Sequence, residues 1–398
     1  MFLCRLGARR QIGLLLRNGP STEKFQALFH VDSFPHGDTL DDAFSKLDPN
    51  QGQEVVCDLT EKLIRKKVLY PERLLDRYYV IAVDGSGTLT FSARHCCHCL
   101  TSTQNGKTLY YHKVLEAKLV TPSGFAFSMM TEFIENPGEN PTKQDCELKA
   151  FYRLAERLKR RFPRLPILLC LDGLFAGGPT FDLCRRYGWE YMIVLKDHDL
   201  PSVNQEFEVL SKLQPGNRFS WCPVKNNAEI SQRFRWVDNI CYVDSDRRQH
   251  TLSVIECLET KRDEKGIMKT TKFKWVTHLA VSAKTVACLA NNGGRIRWKV
   301  ENEGFNVQKN GGYGLEHAYT SNATSAKIFY FLLQIAHMLA QLLDRGNLLR
   351  KVITGGFGSA KNLAFRLLEA WRNARLTAAD MQSLLQRRFQ IRFNLDSS

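Results

Sequence analysis

The chain has 398 residues, 43% of them hydrophobic and 24% charged, an ordinary globular balance with length for roughly two or three domains. A formal net charge of +15 and a pI near 9.3 favour a polyanionic partner, nucleic acid being the commonest soluble one. No membrane span is expected, because Gln334, His337 and Gln341 interrupt the most apolar segment before it reaches about 18 residues, and arginines through the first apolar stretch argue against a signal peptide.

Residues 1–75 read as helical and basic. Thr39 is the expected N-cap of "TLDDAFSKLD", with acids in the first turn, and Leu59, Leu63 and Leu69 share a face of the next helix. Such a region serves equally as a small DNA-binding module or as a packing subdomain. At Tyr78 the pattern changes. "YYVIAVDGSGT" is a buried strand ending in Asp84, and "LYYHKVLEAKLV" and "FAFSMMTEFI" are two more. A helix follows, with Leu148, Phe151, Leu154, Leu158 and Phe162 at helical spacing. "PILLCLDG" is a second buried strand, ending in Asp172, and a short helix leads to the strand "EYMIVLK". Residues 76–199 therefore predict the first part of an α/β core with a mixed sheet flanked by helices. Residues 200–285 read as a β-rich insertion of roughly five strands, with lysine and arginine dense between them. Residues 286–345 return to helix and complete the core, and 346–398 form a basic helical C-terminal region.

Two strands end in the same grammar of apolar run, Asp and Gly. Either aspartate alone would read as a turn residue. Two of them past the carboxyl ends of strands in one sheet would repel unless a cation lay between, and Mg²⁺ suits such hard oxygen ligands. The segment "RIRWKVENEGFNVQKNGGYGLEH", from Arg295 to His317, offers a third carboxylate. On a regular helix Glu301 and Glu303 lie ~200° apart, so only one can face the aspartates. Arg297, four residues before Glu301, shares its face and is placed to hold a DNA phosphate or simply to pair with Glu301. The twelve cysteines read as reduced thiols, several of them small core residues. "RHCCHC" is different, because Cys96 and Cys99 form half of a zinc site, with His112 and Cys146 as candidates for the rest of a closed structural Zn²⁺ centre.

Together "VIAVDGSG", "LLCLDG" and the Arg295–His317 segment, with "GDTLDDAF" and "KQDCELKAF", resemble the DDE transposases of bacterial insertion sequences along nearly the whole chain. The resemblance implies a ribonuclease-H-like catalytic core interrupted by a β-rich insertion. It implies Asp84, Asp172 and Glu301 as ligands of two Mg²⁺ ions, which Mn²⁺ would replace, cutting and joining double-stranded DNA at element ends and target. A homodimer or larger assembly on DNA, in the bacterial cytoplasm with the nucleoid, goes with that activity. Many relatives place Tyr, Arg, Glu and Lys around the glutamate. Arg297 and Glu301 match, whereas Gly294 stands at the tyrosine position and Gln308 at the lysine position, with Lys309 one residue late. Lys309 or Gln308 is expected to touch the DNA strand. Two other readings share the scaffold: a non-catalytic or repurposed DNA-binding protein, and a nuclease without strand transfer.

Overall fold

The strand that carries Asp84 is buried on both faces from Tyr79 to Val83, which makes it a central strand. It belongs to a computed structural model that describes residues 1–17, 19–138, 141–222, 224–225, 228–263, 266–346 and 358–387. This strand, β1 (Tyr79–Phe91), has β2 (Leu100–Gln104), β3 (Lys107–Val120) and β4 (Ala126–Ile134) after it. It runs antiparallel to β3 on one side and parallel to β5 (Ile167–Leu171) on the other. The far edge of β3 is shared end to end by β2 and β4. Sequence patterning missed β2, whose five residues "LTSTQ" hold a single large apolar side chain. β6 (Glu190–Val194) lies parallel beyond β5.

The sheet does not stop there. After β7 (Arg218–Trp221), β8 (Val224–Lys225), β9 (Ala228–Val243) and β10 (Gln249–Arg262), β11 (Met268–Thr277) returns to pair with β6. β10, β9 and β7 then extend one mixed open sheet of eleven strands, with β8 paired to β9. The predicted insertion is thus a continuation of the central sheet. Two expected strands, "ISQRFRWV" and "NICYV", are one strand, broken only where Asn239 takes a left-handed φ of 62° and the register with β10 shifts.

Helices α1 (Arg10–Leu16), α2 (Pro20–Phe29), α3 (Gly37–Ser45) and α4 (Pro49–Arg65) precede the sheet. α3 starts before the expected Thr39 cap: His36 is its N-cap and accepts from the Asp38 N–H. Within the sheet come α5 (Glu147–Arg161), α6 (Gly178–Tyr187) and α7 (Pro201–Leu213), the last inside the segment expected to be β-rich. α5 buries Ala150, Phe151, Leu154, Ala155 and Leu158, while Leu148 stays exposed. α8 (residues 286–310), α9 (Ala323–Arg345), α10 (Ala360–Asn373) and α11 (Ala378–Gln386) follow. Residues 347–357 and 388–398 of the expected C-terminal region lie outside the described residues.

The free edge of β4 is covered by side chains, which keeps it from pairing elsewhere. From α4, Thr60 donates to the Ser128 carbonyl at 2.9 Å, and Gln53 accepts from the Thr131 N–H at 2.8 Å. From α9, Gln341 accepts from the Ala126 N–H at 2.8 Å. α9 is long and apolar enough to cross a bilayer, yet it is packed against α3, α4 and β4 as a core helix. The polar residues that interrupt it face inward. Gln334 accepts from Lys118 at 2.8 Å, and His337 pairs with Gln308 at 3.0 Å. The first helices of the N-terminal region and α10 share a second, smaller apolar cluster, whereas α4 belongs to the main core. Leu6, Ile12, Leu16 and Phe34 pack with Leu368 and Trp371, and Lys24 donates to the Ala370 and Ala374 carbonyls at the end of α10.

Candidate functional site

β1 and β5 pair in register from Tyr79↔Ile167 to Ala82↔Cys170. Carrying that offset two residues on sets Asp84 beside Asp172, and the backbone of Asp172 is still extended (φ −78°, ψ 165°). Residues in register on neighbouring parallel strands send their side chains to the same face from backbones about 4.8 Å apart. Extended in this way, the register makes the two aspartates neighbours. Asp172 follows the last residue of β5 as expected, but the expected strand end at Asp84 is not found, because β1 runs on to Phe91 against β3.

Each has a cation against it. Arg297 Nη1 lies 2.8 Å from Asp84 Oδ2, and Lys196 Nζ lies 3.4 Å from Asp172 Oδ2. Burial pushes the Asp84 carboxyl above the usual carboxylate range, although Arg297 and the Gly85 N–H both pull it down; nearby Glu147 adds to the rise. Sequence reading missed this surrounding layer. Glu147, in the first turn of α5, pairs with Lys113 and packs on Gly85, where a Cβ would strike its carboxylate. Asp199 packs on Gly173 in the same way and accepts from the Lys196 N–H at 3.0 Å. Glu147 lies within "KQDCELKAF", the segment picked out by family likeness; nothing in local spacing marks Lys196 or Asp199.

α8 brings the third segment. It is irregular: π-helical over Leu289–Gly294 and Val300–Asn306, with the tighter 3₁₀ turn Arg295–Trp298 between. Such interruptions recur at functional sites. The helix packs on β1 and β5. Gly293 and Gly294 permit the close approach, since a Cβ on Gly294 would fall 2.5 Å from the Trp275 ring. Arg297 is turned to Asp84 and not to Glu301. Glu301 is exposed and makes no hydrogen bond or ion pair with any described residue. Glu303 pairs with Lys299 at 3.2 Å and lines a cavity with Arg5, Tyr313 and His337 beneath α9. Among the described residues the three carboxylates do not converge within 4.8 Å of one another.

The expected DNA contact at Gln308 is overturned. Its side chain is fully buried and bonds to Gln334 and His337. Gln308, three residues after the buried Phe305, lies on the same inward face, where the partners on α9 satisfy its amide. Lys309 is paired with Glu316 at 3.0 Å.

Of the four expected zinc ligands, three come together. Cys96 Sγ and Cys99 Sγ are 3.7 Å apart, and His112 Nε2 lies 3.4 Å from the first and 3.5 Å from the second. Cys146 does not join them; it is the exposed N-cap of α5. The pairing of β1 with β3 selects His112, whereas α5 carries Cys146 outward. A second ligand-like group, Asp182, Asp244 and His250, is an ion-pair network: Arg248 binds Asp182 at 2.6 Å and Asp244 at 3.1 Å. Burial alone would raise the Asp244 carboxyl, but the His250 hydrogen bond and the Arg248 and Asp246 N–H groups hold it down at about 2.

No protein-family model matches the chain, and no curated protein matches it.

Proposed function

We propose that the chain is a Mg²⁺-dependent DNA transposase that cuts and joins DNA at the ends of an insertion sequence. The observation that carries this is the parallel pairing of β1 with β5, whose register carried two residues on sets Asp84 beside Asp172, with α8 packed on both strands. An antiparallel arrangement of β1 to β4 followed by two strands parallel to β1, with Asp84 within β1 and Asp172 just past β5, supports a ribonuclease-H-like core.

The donors fit Mg²⁺. They are hard oxygens, and burial raises the Asp84 carboxyl by more than Arg297 and the Gly85 N–H lower it. Asp84 and Asp172 would hold the metal, with Glu301 one turn beyond Arg297 as the third ligand. Metal bound there stabilises the attacking and leaving oxygens of in-line phosphodiester displacement. Arg297, released from Asp84, is placed for a phosphate. Lys196 and His198 line a cleft beside Asp172 that suits a DNA backbone. Trp298, 45% exposed beside this segment, offers a stacking surface for a base. The charge of +15 implies binding that weakens steeply with salt.

The test is strand cleavage, with Mg²⁺, of DNA carrying the sequences that flank the coding region. Asp84→Asn, Asp172→Asn and Glu301→Gln should each abolish cutting and leave binding intact, while Glu303→Gln should still cut. If Glu303→Gln is dead and Glu301→Gln active, the third ligand is misassigned. A second reading, a DNA-binding protein without catalysis, is favoured by the cations already seated on both aspartates. Specific binding by the unmodified chain without any cutting would select it. Cutting without joining would select the nuclease.

A further inference from the structure

We propose that Cys96, Cys99 and His112 bind one Zn²⁺ ion that staples the connection after β1 to β3, with the fourth coordination position facing an adjoining cavity. The inference is independent of the DNA-cleavage reading.

The distances decide it. Zn–S bonds of about 2.3 Å and Zn–N bonds of about 2.05 Å at tetrahedral angles require an S–S separation of about 3.8 Å and S–N separations of about 3.5 Å. The observed triangle has sides of 3.7, 3.4 and 3.5 Å. A disulfide would need the sulfurs at about 2.05 Å. The three side chains come from two segments, so local spacing does not explain their meeting. His112 sits opposite Leu89 in the β1/β3 ladder, just past the register shift between Gly87 and Leu89. The Cys96–Cys99 turn is held to the end of β4: Asn136 donates to the Cys99 carbonyl at 2.9 Å, its N–H donates to the His98 carbonyl at 3.2 Å, and its own carbonyl pairs with His98 Nδ1 at 3.0 Å. Asn136 is itself buried. This places both thiols before any metal arrives.

Cys99 is fully buried behind the triangle, whereas Cys96 and His112 both line a cavity that also receives His95, Glu135 and His317. Because two of the three ligands line that cavity, the fourth ligand is assigned to it and not to Cys146, which lies outside the cluster. The metal would fix the outer end of the same strand pair that carries Asp84, and so acts on the site only through position.

The test is elemental analysis of the full chain, purified without chelator. One zinc per chain is expected. Cys96→Ser and His112→Asn should reduce it to none, whereas Cys97→Ser and Cys146→Ser should retain it. Because a ligand variant can fail by misfolding, the unmodified chain is also stripped and reconstituted with Co²⁺. A thiolate-to-cobalt charge-transfer band with tetrahedral d–d bands is expected. Absence of both zinc and the cobalt bands in folded protein, a Cys96–Cys99 disulfide in their place, unchanged zinc in Cys96→Ser, or loss of zinc in Cys146→Ser would each overturn the proposal.

Discussion

Replacing Gln308 by leucine separates a surface contact from a buried one. Gln308 Nε2 donates to Gln334 Oε1 at 2.8 Å and to His337 Nδ1 at 3.0 Å, and its Oε1 accepts from Gln334 Nε2 at 3.2 Å. Leucine fills nearly the same space, so the cavity contribution is small and the polar loss dominates. Gln334 Nε2 loses its acceptor and His337 Nδ1 loses its donor, and both side chains are buried. Each such orphan costs about 1–3 kcal/mol, and two of them about 2–6 kcal/mol. The assay is urea unfolding followed by tryptophan fluorescence, beside DNA binding measured on the folded fraction. The expected result is a lower unfolding midpoint with DNA affinity unchanged. A stability change under about 0.5 kcal/mol, the size usual for surface sites, together with weakened DNA binding would refute the burial argument.

Two further outcomes test the same interior. Burial, reinforced by Lys118, Arg5 and Arg345, holds the His337 imidazole well below its ordinary 6.5, so it stays neutral in the folded chain. The unfolded chain takes up that proton as pH falls below 6.5 and the folded chain does not. Stability should therefore be full above that pH and decline by about 1.4 kcal/mol per unit below it, until the folded group titrates. The urea midpoint followed against pH should lose this slope in His337→Gln; an identical slope in the variant would assign it elsewhere. Gly294→Ala forces a methyl to 2.5 Å from the Trp275 ring and should destabilise by about 1–3 kcal/mol, with strong coupling to Trp275→Leu in a double-mutant cycle. Additive effects would mean that the helix shifts freely at that point.

What the sequence determined by itself was local: runs of apolar residues long enough for buried strands, one of them closed by Asp172 and Gly173 while β1 runs on past Asp84, a helix face at 3.6-residue spacing in α5, and a segment with one glutamate too many for a single face. These signals need only neighbouring residues. The tertiary structure decided everything that depends on partners far along the chain. Residues 218–277 became an extension of the central sheet because β11 returns to β6, which no strand pattern encodes. Gln308 went inward because Gln334 and His337, on another helix, satisfy its amide. Lys118, although a lysine, is fully buried because Gln334, 216 residues away in sequence, accepts a hydrogen bond from it and Glu116 lies 3.6 Å off. Strand register chose His112 over Cys146 for the thiol pair, and Asp172 as the neighbour of Asp84. A polar side chain in a sequence does not announce whether water or another residue will satisfy it, and burial without a partner costs too much free energy for the chain to leave that undecided.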